Sequence, residues 1–455
     1  SVTTLKTWPL AWRVLSRKRP PKKHFENRTG HAKVEWQEEV TRHTIQPLRS
    51  LNPPCNNDKA FQKREGQSGG LNQGLNQQMT RRLNKVALLR LLHIHGPISR
   101  VELAASLGLD TKTLTNLSRE LLGRGFVESA GMATCSRGRP REMLQLSTSK
   151  LNAIGLHLEE HQISGALVGL DGSIRGRRLL HLSGKESQRR LKDLVSDMAL
   201  QLSAAAQGQT VGTGLTIPGV VDRRTGLVVK STHLPAWVGV NVATLLDGVR
   251  KGPVQVETYT AAKALAERWF GAGTDVDDFI LLEAGVGIGC AVVIQGRLHM
   301  GQSHMAGEIG HVVVTPEGET CTCGRRGCLE TVASLGAMLE QAGLAPENSR
   351  ARPQDLLAER LHTGDKVVRR VVENAGRSIG LVLSTLVAAL NPSRVVLTGD
   401  ALALDPLFTR TVCDSVTAFT LPQLTRDLTI VPSRLGQDAA LLGAAVLGLQ
   451  SLFDV

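Results

Sequence analysis

The chain has 455 residues, a formal net charge of +13 and only 3% aromatic residues. That length exceeds one small core and predicts two or three domains with aliphatic interiors. Hydrophobic residues make up 41%, no apolar run reaches about 18 residues without charge or glycine, and no apolar stretch precedes a small-residue cleavage site. Neither a membrane span nor a secretory leader is expected, and seven cysteines, three of them within eight residues, suit a metal site in a reducing compartment and hence a cytoplasmic protein.

The charge is unevenly placed. Residues 1–150 hold 26 Lys and Arg against 11 Asp and Glu, and the remainder holds 28 against 30. An anionic partner is therefore expected at the front third. The first segment, 1–76, is basic and rich in Pro, Gln, Asn and Gly, with Arg17-Lys18-Arg19-Pro20-Pro21-Lys22-Lys23 as its densest run. It reads as a disordered or loosely packed extension, with 68–78 as a flexible lead-in.

Residues 77–150 read as a winged helix-turn-helix. Leu83, Val86, Leu88, Leu91 and Leu92 recur at helical spacing, and Gly96-Pro97 ends that helix. Ser99 followed by Glu102 is a capping box for a second helix, which Gly108 stops. Asp110 or Thr111 opens a third helix with Leu114, Leu117 and Leu121 on its apolar face. Its other faces carry Lys112, Thr113, Thr115, Asn116 and Arg119, donors suited to base edges and phosphates. Two strands, about 126–131 and 141–147, flank Ser136-Arg137-Gly138-Arg139-Pro140, and Arg137 and Arg139 in such a wing suit a minor groove. A helical docking module with a solvated basic hairpin is the plainer alternative.

From Ala153 onward, strands and helices alternate with glycine turns at strand ends, which predicts an α/β body in two lobes, 151–256 and 257–455, with the C-terminal helix returning to the first. His311, Cys321, Cys323 and Cys328 offer one imidazole and three thiolates. Those soft donors suit a tetrahedral structural zinc ion, and four protein ligands leave no open position for catalysis. Gly324 and Gly327 permit the turning backbone that Cys321-Thr322-Cys323 needs.

Gly307-Glu308-Ile309-Gly310-His311, Cys321-Thr322-Cys323-Gly324 and Gly327-Cys328-Leu329-Glu330 together resemble the signature and zinc motif of the ROK family of repressors, open reading frames and sugar kinases. With the winged head, residues 81–450 are similar to its transcriptional-repressor branch. The resemblance implies a two-lobed, actin-like body of the sugar-kinase or ribonuclease H-like ATPase type, a homodimer or homotetramer, and a palindromic double-stranded DNA operator near carbohydrate genes. It also implies a monosaccharide or sugar-derivative effector. Glu308, His311 and Glu330 match sugar-contacting positions, while His233 and Tyr259 stand where the family has an asparagine and the catalytic aspartate. Thr258 likewise replaces a neighbouring asparagine. In the phosphate loop, where the kinases have Asp-x-Gly-Gly-Thr, this chain has His157-Leu158-Glu159-Glu160-His161. A phenol is a poor base near neutral pH, and two glutamates repel phosphate. The expected function is a catalytically inactive, sugar-responsive repressor. A hexose kinase with an accessory head, and a repressor governed by a protein partner with a vestigial cleft, stand as alternatives.

Overall fold

The computed structural model describes residues 69–133, 140–183, 186–222, 225–231, 234–246, 253–344 and 351–452. Arg137, Arg139 and His233 lie outside the described residues, as does residues 1–68 of the basic extension.

The head begins with α1 (Gly69–His95), then β1 (Ile98–Ser99), α2 (Arg100–Leu107), α3 (Thr111–Gly123), β2 (Val127–Ala133) and β3 (Arg141–Leu146). The three strands form one sheet in the order β1-β3-β2. Local chemistry sets the breaks. Ser99 and Glu102 complete the capping box, and Gly108 closes α2 in the left-handed region at φ 63°. Asp110 caps α3 by accepting from the Thr113 amide. The stretch 69–78, expected to be a flexible lead-in, is instead the first part of α1. It contains no proline, and its leucines, asparagines and glutamines continue a helix that residues 79–95 already favour, so the glycines are carried at modest cost.

The first lobe comprises β4 (Leu151–Leu158), β5 (Gln162–Gly169), β6 (Ile174–His181), α4 (Gln188–Ala204), β7 (Gln209–Ile217), the hairpin β8 (Val220–Asp222) and β9 (Leu227–Lys230), and β10 (Val254–Thr258). Its sheet runs β10-β7-β4-β5-β6, with β7 parallel to β4 and β10. Helix α5 (Tyr259–Phe270) then leads to β11 (Phe279–Ala284), β12 (Ile288–Ile294) and β13 (Arg297–Leu298). After these come α6 (Glu330–Ala333), α7 (Leu335–Gln341), α8 (Pro353–His362), α9 (Lys366–Leu390), β14 (Arg394–Thr398), α10 (Leu407–Phe419), α11 (Pro422–Thr425), β15 (Thr429–Pro432) and α12 (Ala439–Gln450). The second sheet is β13-β12-β11-β14-β15. Each sheet buries an aliphatic core of Leu, Ile and Val, with few aromatics.

Among the described residues one helix, α9, is long and apolar enough to cross a membrane. Val368, Val372, Ile379, Leu383 and Val387 on one of its faces are buried in the core of the second lobe, as in a core helix. Helix α12 is buried on nearly every residue and lies against the first sheet.

Candidate functional site

Three groups of residues hold the chemistry: the exposed face of α3, the cleft end of α5, and the cysteine loop between β13 and α6.

On α3, Leu114, Leu117, Ser118 and Leu121 face inward. Lys112, Asn116 and Arg119 are exposed, and their spacing of four and three residues puts them on one face. Thr113 and Thr115 are half-buried and already engaged. The Thr113 hydroxyl donates to Asp110 at 2.6 Å, and the Thr115 hydroxyl donates to the Thr111 carbonyl at 2.7 Å. Capping and back-bonding thus occupy two of the five donors read from the sequence. The helix is clamped from behind. Glu120 accepts from Arg81 at 2.9 Å and from Lys85, both on α1, and Arg100 Nε donates to Ser118 at 3.1 Å.

The second group, at the expected sugar cleft, gathers around Tyr259, the first residue of α5. Its ring lies 6.4 Å from His157 on β4, and the Lys263 ammonium sits 5.1 Å from its centroid. Lys263 donates to both oxygens of buried Glu283 at 2.9 and 2.8 Å. Burial pushes the phenol's pKa well above its ordinary value, and the negative charges of Glu283, Glu330 and Asp400 push it further. Tyr259 therefore stays neutral and cannot serve as a base. At the phosphate-loop position, His157 Nδ1 lies 2.8 Å from the Thr216 hydroxyl and Nε2 lies 3.6 Å from Glu159. Hydrogen bonding to His157 holds the Glu159 carboxyl below its usual pKa, outweighing burial. An ionised glutamate at the position that the resemblance matches to the kinases' phosphate loop would repel phosphate.

Sequence reading missed Lys263 and Glu283. Lys263 is one turn beyond Tyr259, so helical spacing alone could have placed it at the cleft. Glu283 could not have been found that way, because it arrives from a different strand.

The cysteine loop follows a short helical turn, Ile309–His311. The Sγ atoms of Cys321, Cys323 and Cys328 and one His311 ring nitrogen all lie within 4.8 Å of one another. Cys321 Sγ is 3.5 Å from His311 Nδ1, and Cys323 Sγ is 3.6 Å from Cys328 Sγ. Donors about 2.0–2.3 Å from one zinc ion in a tetrahedron stand about 3.5–3.8 Å apart, so the group fits that ion. Burial, with the adjoining thiols, pushes the Cys328 thiol up to about 12. A dication would supply the charge needed to hold three thiolates so close. Gly324 at φ 87° and Gly327 at φ 70° make the turn, and the Gly324 amide donates to the Cys321 carbonyl at 2.8 Å.

The same histidine also approaches Glu308. While Nδ1 meets Cys321, Nε2 lies 3.9 Å from Glu308. Glu330 starts α6 directly after Cys328-Leu329 and borders the turn at Gly287. The expected effector residues Glu308, His311 and Glu330 are thus carried by the cysteine loop and its flanks, and Glu330 acts electrostatically on Tyr259.

Two family models match the chain, the ROK family over residues 153–451 and the MarR family over residues 82–130. The xylose repressor of Bacillus spizizenii is 27% identical over 383 residues, covering 83% of this chain and 98% of its own length. Among solved structures, a ROK-family transcriptional regulator homologous to the Escherichia coli MLC protein is 26% identical with a TM-score of 0.73, covering 82% of this chain and 97% of that one. The ROK hexokinase from Thermus thermophilus is 28% identical with a TM-score of 0.58, covering 65% of this chain and 97% of that one.

Proposed function

The chain belongs to the ROK family, and we propose that it is a transcriptional repressor that binds a palindromic operator through its winged head and does not phosphorylate sugar. In this reading residues 77–150 are the DNA-binding domain, 151–256 and 257–455 are the two lobes, and the body joins copies into a dimer or tetramer. Lys112, Asn116 and Arg119 contact the major groove, Thr113 and Thr115 assist as acceptors, and Arg137 and Arg139 enter the minor groove. His311, Cys321, Cys323 and Cys328 hold a structural zinc ion. Glu308, His311, Glu330, His233 and Tyr259 surround a sugar-like effector that alters DNA affinity, in a cytoplasmic protein acting on carbohydrate genes. The name of the xylose repressor supports a sugar as the class to test first.

The observation that carries the reading is Tyr259, neutral and braced by Lys263, at the position of a kinase's base. Coupled phosphorylation assays with glucose, xylose, mannose and N-acetylglucosamine should give no ATP turnover above the protein-free rate. Sustained turnover with any of them would make the chain a kinase with an accessory head.

The wing makes a separate prediction. Replacing Arg137 and Arg139 together with Ala should lower operator affinity and reduce the slope of log affinity against log salt by about two, one per lost phosphate or groove charge. An unchanged slope across a salt series would remove the wing from the interface.

A further inference from the structure

Helix α5 touches both ends of the proposed regulatory path. Its first residue, Tyr259, lies in the cleft, and its last two, Trp269 and Phe270, pack where the head meets the first lobe. The indole of Trp269 lies 4.4 Å from the His93 ring near the end of α1, and 5.9 Å from Phe270. The core at that junction is continuous. It takes Val86, Leu89 and Leu92 from α1 and Leu144 and Leu146 from β3, together with Leu151, Val211 and Leu449 from the body.

The helix is also gripped between its ends. A side chain at Gly443 of α12 would meet the Ala262 carbonyl at 2.1 Å, so the two helices touch backbone to backbone there. Leu265, Trp269 and Phe270 share a further cluster with Val446 and Leu447 of α12. Lys263 ties the cleft end to Glu283 of the second sheet. Twelve residues of α-helix span about 18 Å and scarcely compress along the axis. A movement of the second lobe, or a change in what surrounds Tyr259, therefore reaches Trp269 as a shift of a rigid rod.

We propose that α5 is the strut that couples the cleft to DNA binding, with the Trp269–His93 contact passing its displacement to the head. The proposal rests on the DNA-binding reading above. Coupling of this kind is defined by non-additivity, and sites about ten helical residues apart ordinarily act independently.

The test is a double-mutant cycle in the full-length chain, read as affinity for a duplex selected from a random pool by the unaltered protein. Tyr259→Ala alone should change that affinity by about fivefold or more, within the usual range of allosteric coupling. In a Trp269→Ala background the same change should leave affinity within twofold, while a Trp269→Phe background, which keeps a ring against His93, should restore most of the response. Melting temperatures and zinc content followed in parallel separate this from a loss of folding, because a merely structural role lowers both without creating non-additivity in DNA affinity. Independent effects in the Trp269→Ala background, or no effect of Tyr259→Ala on its own, overturn the strut. Failure of the unaltered chain to select any duplex overturns the DNA-binding reading itself, and with it the coupling.

Discussion

A Cys321→Ser variant is expected to lose stoichiometric zinc and to release the segment between His311 and Glu330 to proteolysis. The four donor atoms lie within 4.8 Å of one another, and two of the pairs stand at 3.5 and 3.6 Å, the spacing of ligands on one tetrahedral ion. Structural zinc of this kind contributes about 10–16 kcal/mol of binding free energy in small zinc-dependent folds. Removing one ligand should therefore weaken zinc binding by more than the roughly 10- to 100-fold typical of changes outside the ligand set. The consequence extends beyond the loop. His311 faces Cys321 through one nitrogen and Glu308 through the other, and Glu330 follows the last cysteine by two residues. Loss of the ion should free both carboxylates from their present positions, so any effector response should fall with the metal. Elemental analysis of the purified variant decides the matter. Full zinc content would show that the ion is held elsewhere.

The second large effect lies on α3. Asn116→Ala and Arg119→Ala should each cost about 1–3 kcal/mol of operator affinity and relax sequence preference at the bases they face. Both side chains are exposed on a helix whose inner face is held by Leu114, Leu117 and Leu121 and whose rear is clamped by Glu120. Their removal should therefore leave the melting temperature nearly unchanged. Lys112→Ala should act differently, weakening all duplexes alike and lowering the salt slope by about one. Thr113→Ala serves as an internal contrast. Its hydroxyl already bonds to Asp110, so its loss should affect the start of α3 more than base recognition. Unchanged affinity in both Asn116→Ala and Arg119→Ala would place the DNA face elsewhere on the head.

What was legible in the sequence follows from how local each signal is. The capping box at Ser99 and Glu102, the Asp110 cap and the left-handed glycine at 108 are decided within four residues, and the structure has all of them. The cysteine cluster was legible because soft ligands at short spacing have few other uses, and the structure brings all four donors together. The strands of the body were readable from short apolar runs ending in glycine turns, and β4, β7 and β11 are buried on both faces. Two kinds of feature were not legible. The start of α1 at Gly69 was hidden because glycine, asparagine and glutamine compose linkers as readily as solvated helices. Contacts between distant segments were hidden as well. The Lys263–Glu283 pair and the Trp269–His93 contact depend on where α5, β11 and α1 meet, and no periodicity carries that information. The five polar positions of α3 looked equivalent in sequence. Geometry separates the three exposed ones from the two threonines engaged in local hydrogen bonds.

The cleft gives the body a different use from that of a kinase. The Lys263 ammonium beside Tyr259 is committed to Glu283, and Glu159 is held ionised beside His157. Charge placed this way would resist an incoming nucleotide phosphate; in the proposed reading it leaves carboxylates and an imidazole as hydrogen-bonding partners for an uncharged polyol.

The most direct test of the central claim is selection of duplexes from a random pool by the full-length chain at near-physiological salt, followed by measurement of affinity for the enriched sequence. The account predicts a two-fold symmetric site bound at least about 1,000-fold more tightly than scrambled duplex, with that preference lost when Asn116 and Arg119 are replaced. Binding that depends only on salt and favours no sequence would contradict it.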